Sequence, residues 1–118
     1  MKLGQKMPYC SHGEWKESKT KKYMPVSDSS TGEVIAEIPC CTVDEVESAI
    51  QSAHDAFPDW AGTPVTKRAN IMFKYRAILD AHLEELTVLT AKELGKNMEE
   101  ARGDILKAIE VVELACVY

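Results

Sequence analysis

The stretch IPCCTVDE, residues 38–45, holds the most reactive side chains of this 118-residue chain. Two adjacent cysteines, Cys40 and Cys41, stand just ahead of an expected helix start. Three chemistries are open to them. A helix N-terminus lowers a nearby thiol pKa, which would favour Cys41 as a thiolate nucleophile, but no positioned base is evident in the sequence. A zinc site would need more ligands, and adding Cys10 and His12 gives a Cys-x-His…Cys-Cys set. That set lacks the two-residue spacing of a zinc knuckle, and neighbours on a strand point to opposite faces. The third reading, which the sequence favours, makes them small apolar residues filling a strand-to-helix junction.

The other candidates are thinner. His54 and His82 fall on expected helices with no second ligand one turn away, so no metal pair of the HExxH kind exists. ELGKNMEE contains Gly95-Lys96 but lacks the upstream glycines and strand of a phosphate cradle. Glu99, Glu100, Asp104, Glu110 and Glu113 lie mostly off an apolar stripe and read as a solvated helix face. No residue of the chain is therefore assigned a catalytic, cofactor-binding or metal role.

The elements that would position these groups divide into short strands and then helices, an α+β arrangement. Residues 1–41 are rich in Gly, Ser, Thr, Lys and Pro. GEWKES (13–18) is expected to be a strand with Trp15 on the buried side, and KYMPVSD (22–28) a second, placed at a sheet edge by Pro25. SSTGE (29–33) is a turn with Gly32 free to take positive φ. EVIAEIP (33–39) alternates, with Val34, Ala36 and Ile38 on one face.

Residues 42–118 carry three helix signals. Thr42-x-x-Glu45 is a capping box, followed by the stripe Val43, Val46, Ile50, Ala53 and Phe57, with Pro58 expected to end the helix. Thr63-Pro64 opens a second helix carrying Ala69, Met72, Tyr75, Leu79, Leu83, Leu86 and Leu89, stopped at Leu94-Gly95. Asn97-x-x-Glu100 opens a third, with Met98, Ala101, Ile105, Ala108, Ile109, Val112 and Cys116. VVELACVY then stops inside an apolar helical pattern without a glycine cap, so the chain is expected to be the front part of something longer.

Composition narrows the classes. The chain is 45 % hydrophobic and 28 % charged, ordinary for a globular protein. Its net charge of −5 argues against a nucleic-acid binder, and the lysines at 16, 19, 21 and 22 are interleaved with Glu14 and Glu17. No apolar run reaches membrane-spanning length, and MKLGQKMPYC lacks the apolar core of a secretory signal. The expected location is the cytoplasm, with the four cysteines reduced.

Taken in order, STGEVI (30–35), AFPDW (56–60), the arginine of TPVTKR (63–68) and ELGK (93–96) resemble the N-terminal region of the NAD(P)-dependent aldehyde dehydrogenases. The likeness covers about residues 8–118, and EARGDILKAIEVVELAC (100–116) is most similar to the CoA-acylating methylmalonate-semialdehyde dehydrogenase branch. The resemblance implies a much longer parent with a Rossmann-like cofactor domain, a catalytic domain and an oligomerisation arm. Residues 1–41 would supply N-terminal strands and turns, and 42–118 a three-helix segment of the cofactor-binding domain. It implies NAD as cofactor, CoA as co-substrate, a small aldehyde as substrate and a homo-oligomer. The family's single catalytic cysteine, which attacks the aldehyde on the way to a thioester, belongs to the later catalytic domain, so Cys40 and Cys41 do not match it. In some members backbone carbonyls near the stretch matching Val26 to Asp28 help hold a monovalent cation; no metal site is assigned here. The alternative is a stand-alone helical interaction module without catalytic activity.

Overall fold

The computed structural model describes residues 4–117, which form two compact units dividing between Ala61 and Gly62.

In the first unit, β1 (Gln5–Lys6), β4 (Tyr23–Ser27) and β5 (Val34–Pro39) form a sheet of order β1-β5-β4. β1 runs parallel to β5 and β4 antiparallel. β2 (Tyr9–Ser11) and β3 (Glu14–Lys16) make a separate antiparallel pair. His12 and Gly13 join them, both with positive φ (59° and 73°), the backbone of a two-residue type I′ turn. Helix α1 (Val43–Gly62) completes the unit.

Pro25 lies on the edge strand β4, as expected from its missing N–H. The following turn forms as well. Asp28 Oδ1 accepts from the N–H groups of Ser30 (2.8 Å) and Thr31 (3.2 Å), Gly32 N–H donates to the Asp28 carbonyl, and Gly32 takes φ 75°.

Three expectations fail in this unit. Trp15 is 73 % exposed, not buried. It pairs across with Cys10, itself exposed, so the two share the outer face of a hairpin only two strands wide. The alternation that puts Val34, Ala36 and Ile38 on one face does not hold: the neighbours Ile35 and Ala36 are both buried, while Val34 and Ile38 are exposed. The cause is a bulge. Val26 pairs with Ala36 but Ser27 pairs with Val34, so Ile35 is an extra residue and the two-residue alternation is reset there. Pro58 does not end α1, which continues to Gly62. A proline forfeits one N–H, and here the helix carries on past that single gap.

The second unit holds α2 (Val65–Ala81), α3 (Leu83–Leu94) and α4 (Met98–Val117). The expected second helix is thus two. At His82 the backbone moves to φ −104°, ψ 13°, and its N–H is shared between the carbonyls of Ile78 (3.1 Å) and Leu79 (3.2 Å). His82 Nδ1 also sits 2.9 Å from Glu85 Oε2, a local contact that holds the new start. α3 stops at Gly95, φ 67°, in the left-handed conformation that glycine takes without strain. Asn97 Oδ1 then accepts the Glu100 N–H at 2.9 Å and caps α4.

α4 packs on both α2 and α3. Its buried residues Ala101, Ile109 and Cys116 belong to the expected stripe, whereas Ala108 and Met98 of that stripe are exposed. Leu83 and Thr87 supply the buried face of α3, with Thr87 returning its hydroxyl to the Leu83 carbonyl at 2.8 Å. Among the described residues, no helix is long and apolar enough to cross a membrane.

Candidate functional site

The junction around Cys40 and Cys41 is organised by a carboxylate. The capping box forms as read from the sequence: Thr42 N–H donates to Glu45 Oε2 (2.8 Å), and Glu45 N–H to Thr42 Oγ1 (3.3 Å). Glu45 then does more. Its Oε1 accepts the Lys19 N–H (2.8 Å) and its Oε2 the Ser18 hydroxyl (2.7 Å). Ser18 is itself held, its Oγ accepting the Thr20 N–H at 3.1 Å. One side chain thus clamps the 18–20 segment onto the start of α1. The Lys19 amide, then Ser18, then the Thr42 amide hold the Glu45 carboxyl down at about 2. A carboxylate so strongly committed to its anion is a poor proton acceptor near neutral pH, so it cannot serve Cys41 as a general base.

Cys41 borders an open, apolar hollow with Tyr9, Glu45, Val46, Ala49, Ile50 and Ala53. Burial, then the nearby Glu45 and Cys41, push the Tyr9 phenol above its usual range, so it stays protonated near neutral pH. Cys40 does not line that hollow; its N–H donates to the Lys22 carbonyl at 2.9 Å. Cys10 and His12 border a different hollow, against Ala49, Ser52 and Ala56. His12 Nδ1 is engaged 2.7 Å from Ser11 Oγ. The Cys-x-His…Cys-Cys set is therefore not assembled, and among the described residues no group of three His, Cys, Asp or Glu is placed to hold a metal.

The remaining candidates have local partners. His54 Nδ1 lies 3.4 Å from Asp55, and Lys96 pairs with Asp104 across the α3–α4 turn. Arg76 bridges Glu113 (2.9 Å) and Asp80 (3.4 Å), and Arg102 reaches Glu84 (3.1 Å). The lysine and arginine contacts are exposed ion pairs, which contribute little to stability. Two features escaped the sequence reading. The Ser18–Glu45 clamp spans 27 residues, so no local pattern could show it, although Glu45 stood in the capping box. The other is the burial of the Arg68 Nε, which has no acceptor among the described residues.

Residues 15–118 match the profile of the Aldehyde dehydrogenase family. The chain is 48 % identical over 103 residues to Malonate-semialdehyde dehydrogenase 2 of Oceanobacillus iheyensis, covering 87 % of this chain and 21 % of that protein. It is 43 % identical, with the same coverage, to Malonate-semialdehyde dehydrogenase of Bacillus pumilus. Among solved structures it superposes on methylmalonate-semialdehyde dehydrogenase from Oceanimonas doudoroffii with a TM-score of 0.88 at 32 % identity, over 95 % of this chain and 23 % of that one. A similar enzyme from Sinorhizobium meliloti, solved with NAD, gives a TM-score of 0.90 at 25 % identity, over 98 % and 24 %. The chain spans about a fifth of the length of the curated relatives it matches. Its strands and helices are a small part of the Rossmann-like fold of those enzymes. A profile match across most of the sequence, with relatives of this identity, shows that the chain belongs to the aldehyde dehydrogenase family.

Proposed function

We propose that this chain is the N-terminal part of an NAD-dependent semialdehyde dehydrogenase of the malonate and methylmalonate type, in which CoA takes the acyl product. The observation that carries this reading is the 48 % identity to a malonate-semialdehyde dehydrogenase. In this reading residues 42–118 belong to the cofactor-binding domain and residues 1–41 bring its first strands and turns. The catalytic cysteine, the grip on NAD and the oligomerisation arm come from the other four fifths of the enzyme, a cytoplasmic homo-oligomer acting on a small aldehyde. The role of the present residues is structural: the Glu45 clamp fixes the strands to α1, and the helical hairpin offers packed faces.

The test has two arms. Residues 15–118 replace the matching segment of the Oceanobacillus iheyensis enzyme, and NADH formation from malonate semialdehyde and CoA is followed. Turnover close to that of the parent is expected. A chimera that folds and assembles but gives no NADH overturns the assignment of these residues to an enzyme of that type. In the second arm residues 1–118 alone are assayed and show no turnover. NAD reduction by that chain, abolished by joint Cys40→Ala and Cys41→Ala substitution, overturns the structural role.

A further inference from the structure

No residue of helix α1 is buried. Yet Val43, Val46, Ile50, Ala53, Phe57 and Trp60 recur at spacings of 3, 4, 3, 4 and 3, which makes one continuous apolar stripe along the helix. All six are exposed. The hollow beside Cys41 opens onto the first half of this stripe, because Val46, Ile50 and Ala53 line it as well. A contiguous apolar strip with a socket in it marks an interaction surface.

The charges of α1 say what can cover it. The helix carries Asp44, Glu45, Glu47, Asp55 and Asp59 and no lysine or arginine. Glu45 is engaged in the clamp. Glu47 stands one turn from both Val43 and Ile50, at the margin of the stripe. A second copy of this chain would set one acidic helix against another, and like charges across an interface are costly. An anionic lipid surface is opposed in the same way, since helices that lie on membranes carry lysine and arginine on their polar face. What fits is a protein surface with apolar side chains and a basic margin. The malonate-semialdehyde dehydrogenase of Oceanobacillus iheyensis has ample chain to supply one, since the match covers only 21 % of it.

We propose that the α1 stripe docks an apolar face, rimmed by lysine or arginine, from the part of the dehydrogenase outside residues 1–118. This rests on the reading above that the chain is part of a longer dehydrogenase. One apolar side chain of the partner seats in the hollow beside Cys41, and a cation at its margin meets Glu47.

The experiment puts photoreactive benzoylphenylalanine in place of Ile50 in the chimeric enzyme, irradiates the assembled protein and identifies the crosslinked peptide by mass spectrometry. The expected peptide is apolar, lies outside residues 15–118 and has a lysine or arginine beside it. A crosslink to a second copy of α1 or to residues 62–118 overturns the proposal, as does a peptide without a basic residue or no crosslink at all. Two substitutions are then compared in two contexts. In the chimera, Ile50→Lys lowers the unfolding temperature by several degrees, and Glu47→Lys by a smaller amount that shrinks at high salt. In the 118-residue chain, which is expected to sediment as a monomer, both leave the midpoint unchanged or raise it. A dimer of that chain that Ile50→Lys dissolves gives the stripe to a second copy and overturns the proposal. A loss from Ile50→Lys in the monomeric short chain gives it to the chain's own residues and does the same. Both of these readings stand even where the chimera fails to assemble. Turnover of the unsubstituted chimera reports separately on the enzymatic reading.

Discussion

The two units of the chain hold themselves together by different means. The first relies on hydrogen bonds: a bulged three-stranded sheet, a type I′ hairpin, an Asx-type turn at Asp28 and the Glu45 clamp. Its helix α1 buries no residue at all, and the stripe residues Ile50 and Phe57 are 64 % and 66 % exposed. The second unit relies on apolar contact, with Leu83, Ala101, Ile109 and Cys116 buried where α4 crosses the α2–α3 arm. An amphipathic stripe is a capacity for burial, and only the presence of a neighbouring element turns it into stability.

Substitutions can break or sharpen that contrast. Ile109→Ala opens a cavity at a residue only 4 % exposed and should cost about 3 kcal/mol, read as a lower urea midpoint for the second unit. A loss below about 1 kcal/mol would show that the α4 seam is loosely packed. Thr42→Ala removes the hydroxyl that caps α1 and should cost about 1 kcal/mol, in the first unit alone. Acid should act on the same unit. The Glu45 carboxyl is held at about 2 in the fold against an ordinary 4.5, so its contribution is present in full above 4.5. That contribution is lost as the pH falls from 4.5 toward 2, because the unfolded chain takes up the proton first. Glu45→Gln should flatten this acid limb in a pH series of unfolding midpoints. The smallest effect is expected from Ile50→Ala on the exposed stripe of α1, within about 0.5 kcal/mol in the 118-residue chain. A larger loss there would mean that α1 is stabilised by apolar cover after all.

The parts of the fold legible in the sequence are those decided within four residues. The caps at Thr42 and Asn97, the glycine stop at Gly95 and the turn at Gly32 each follow from one side chain or one φ angle. What sequence missed depends on distant neighbours. Trp15 looks like a core residue until its hairpin proves to have two strands and an open face. The alternation of EVIAEIP looks regular until the register against β4 slips by one at Ile35. His82 looks like mid-helix because the apolar rhythm runs through it, while the break lies in the sharing of a single N–H. The candidate site divides the same way. The plain junction reading of Cys40 and Cys41 needed only adjacent residues, whereas the carboxylate that governs the junction takes two of its donors from 26 and 27 residues upstream.

The bulge at Ile35 has a consequence for how this stretch tolerates change in length. Elsewhere in a paired strand, loss of one residue inverts every side chain beyond it. Here one inversion is already built in, since Ser27–Val34 and Val26–Ala36 are in pairing on either side of an unmatched residue. Deleting Ile35 would let the ladder close without a step, leaving Val34 and Ala36 each opposite its present partner. The strand carries a spare link at that position, and a one-codon deletion there trades a buried isoleucine for a straighter ribbon without scrambling the strand from Ala36 to Pro39.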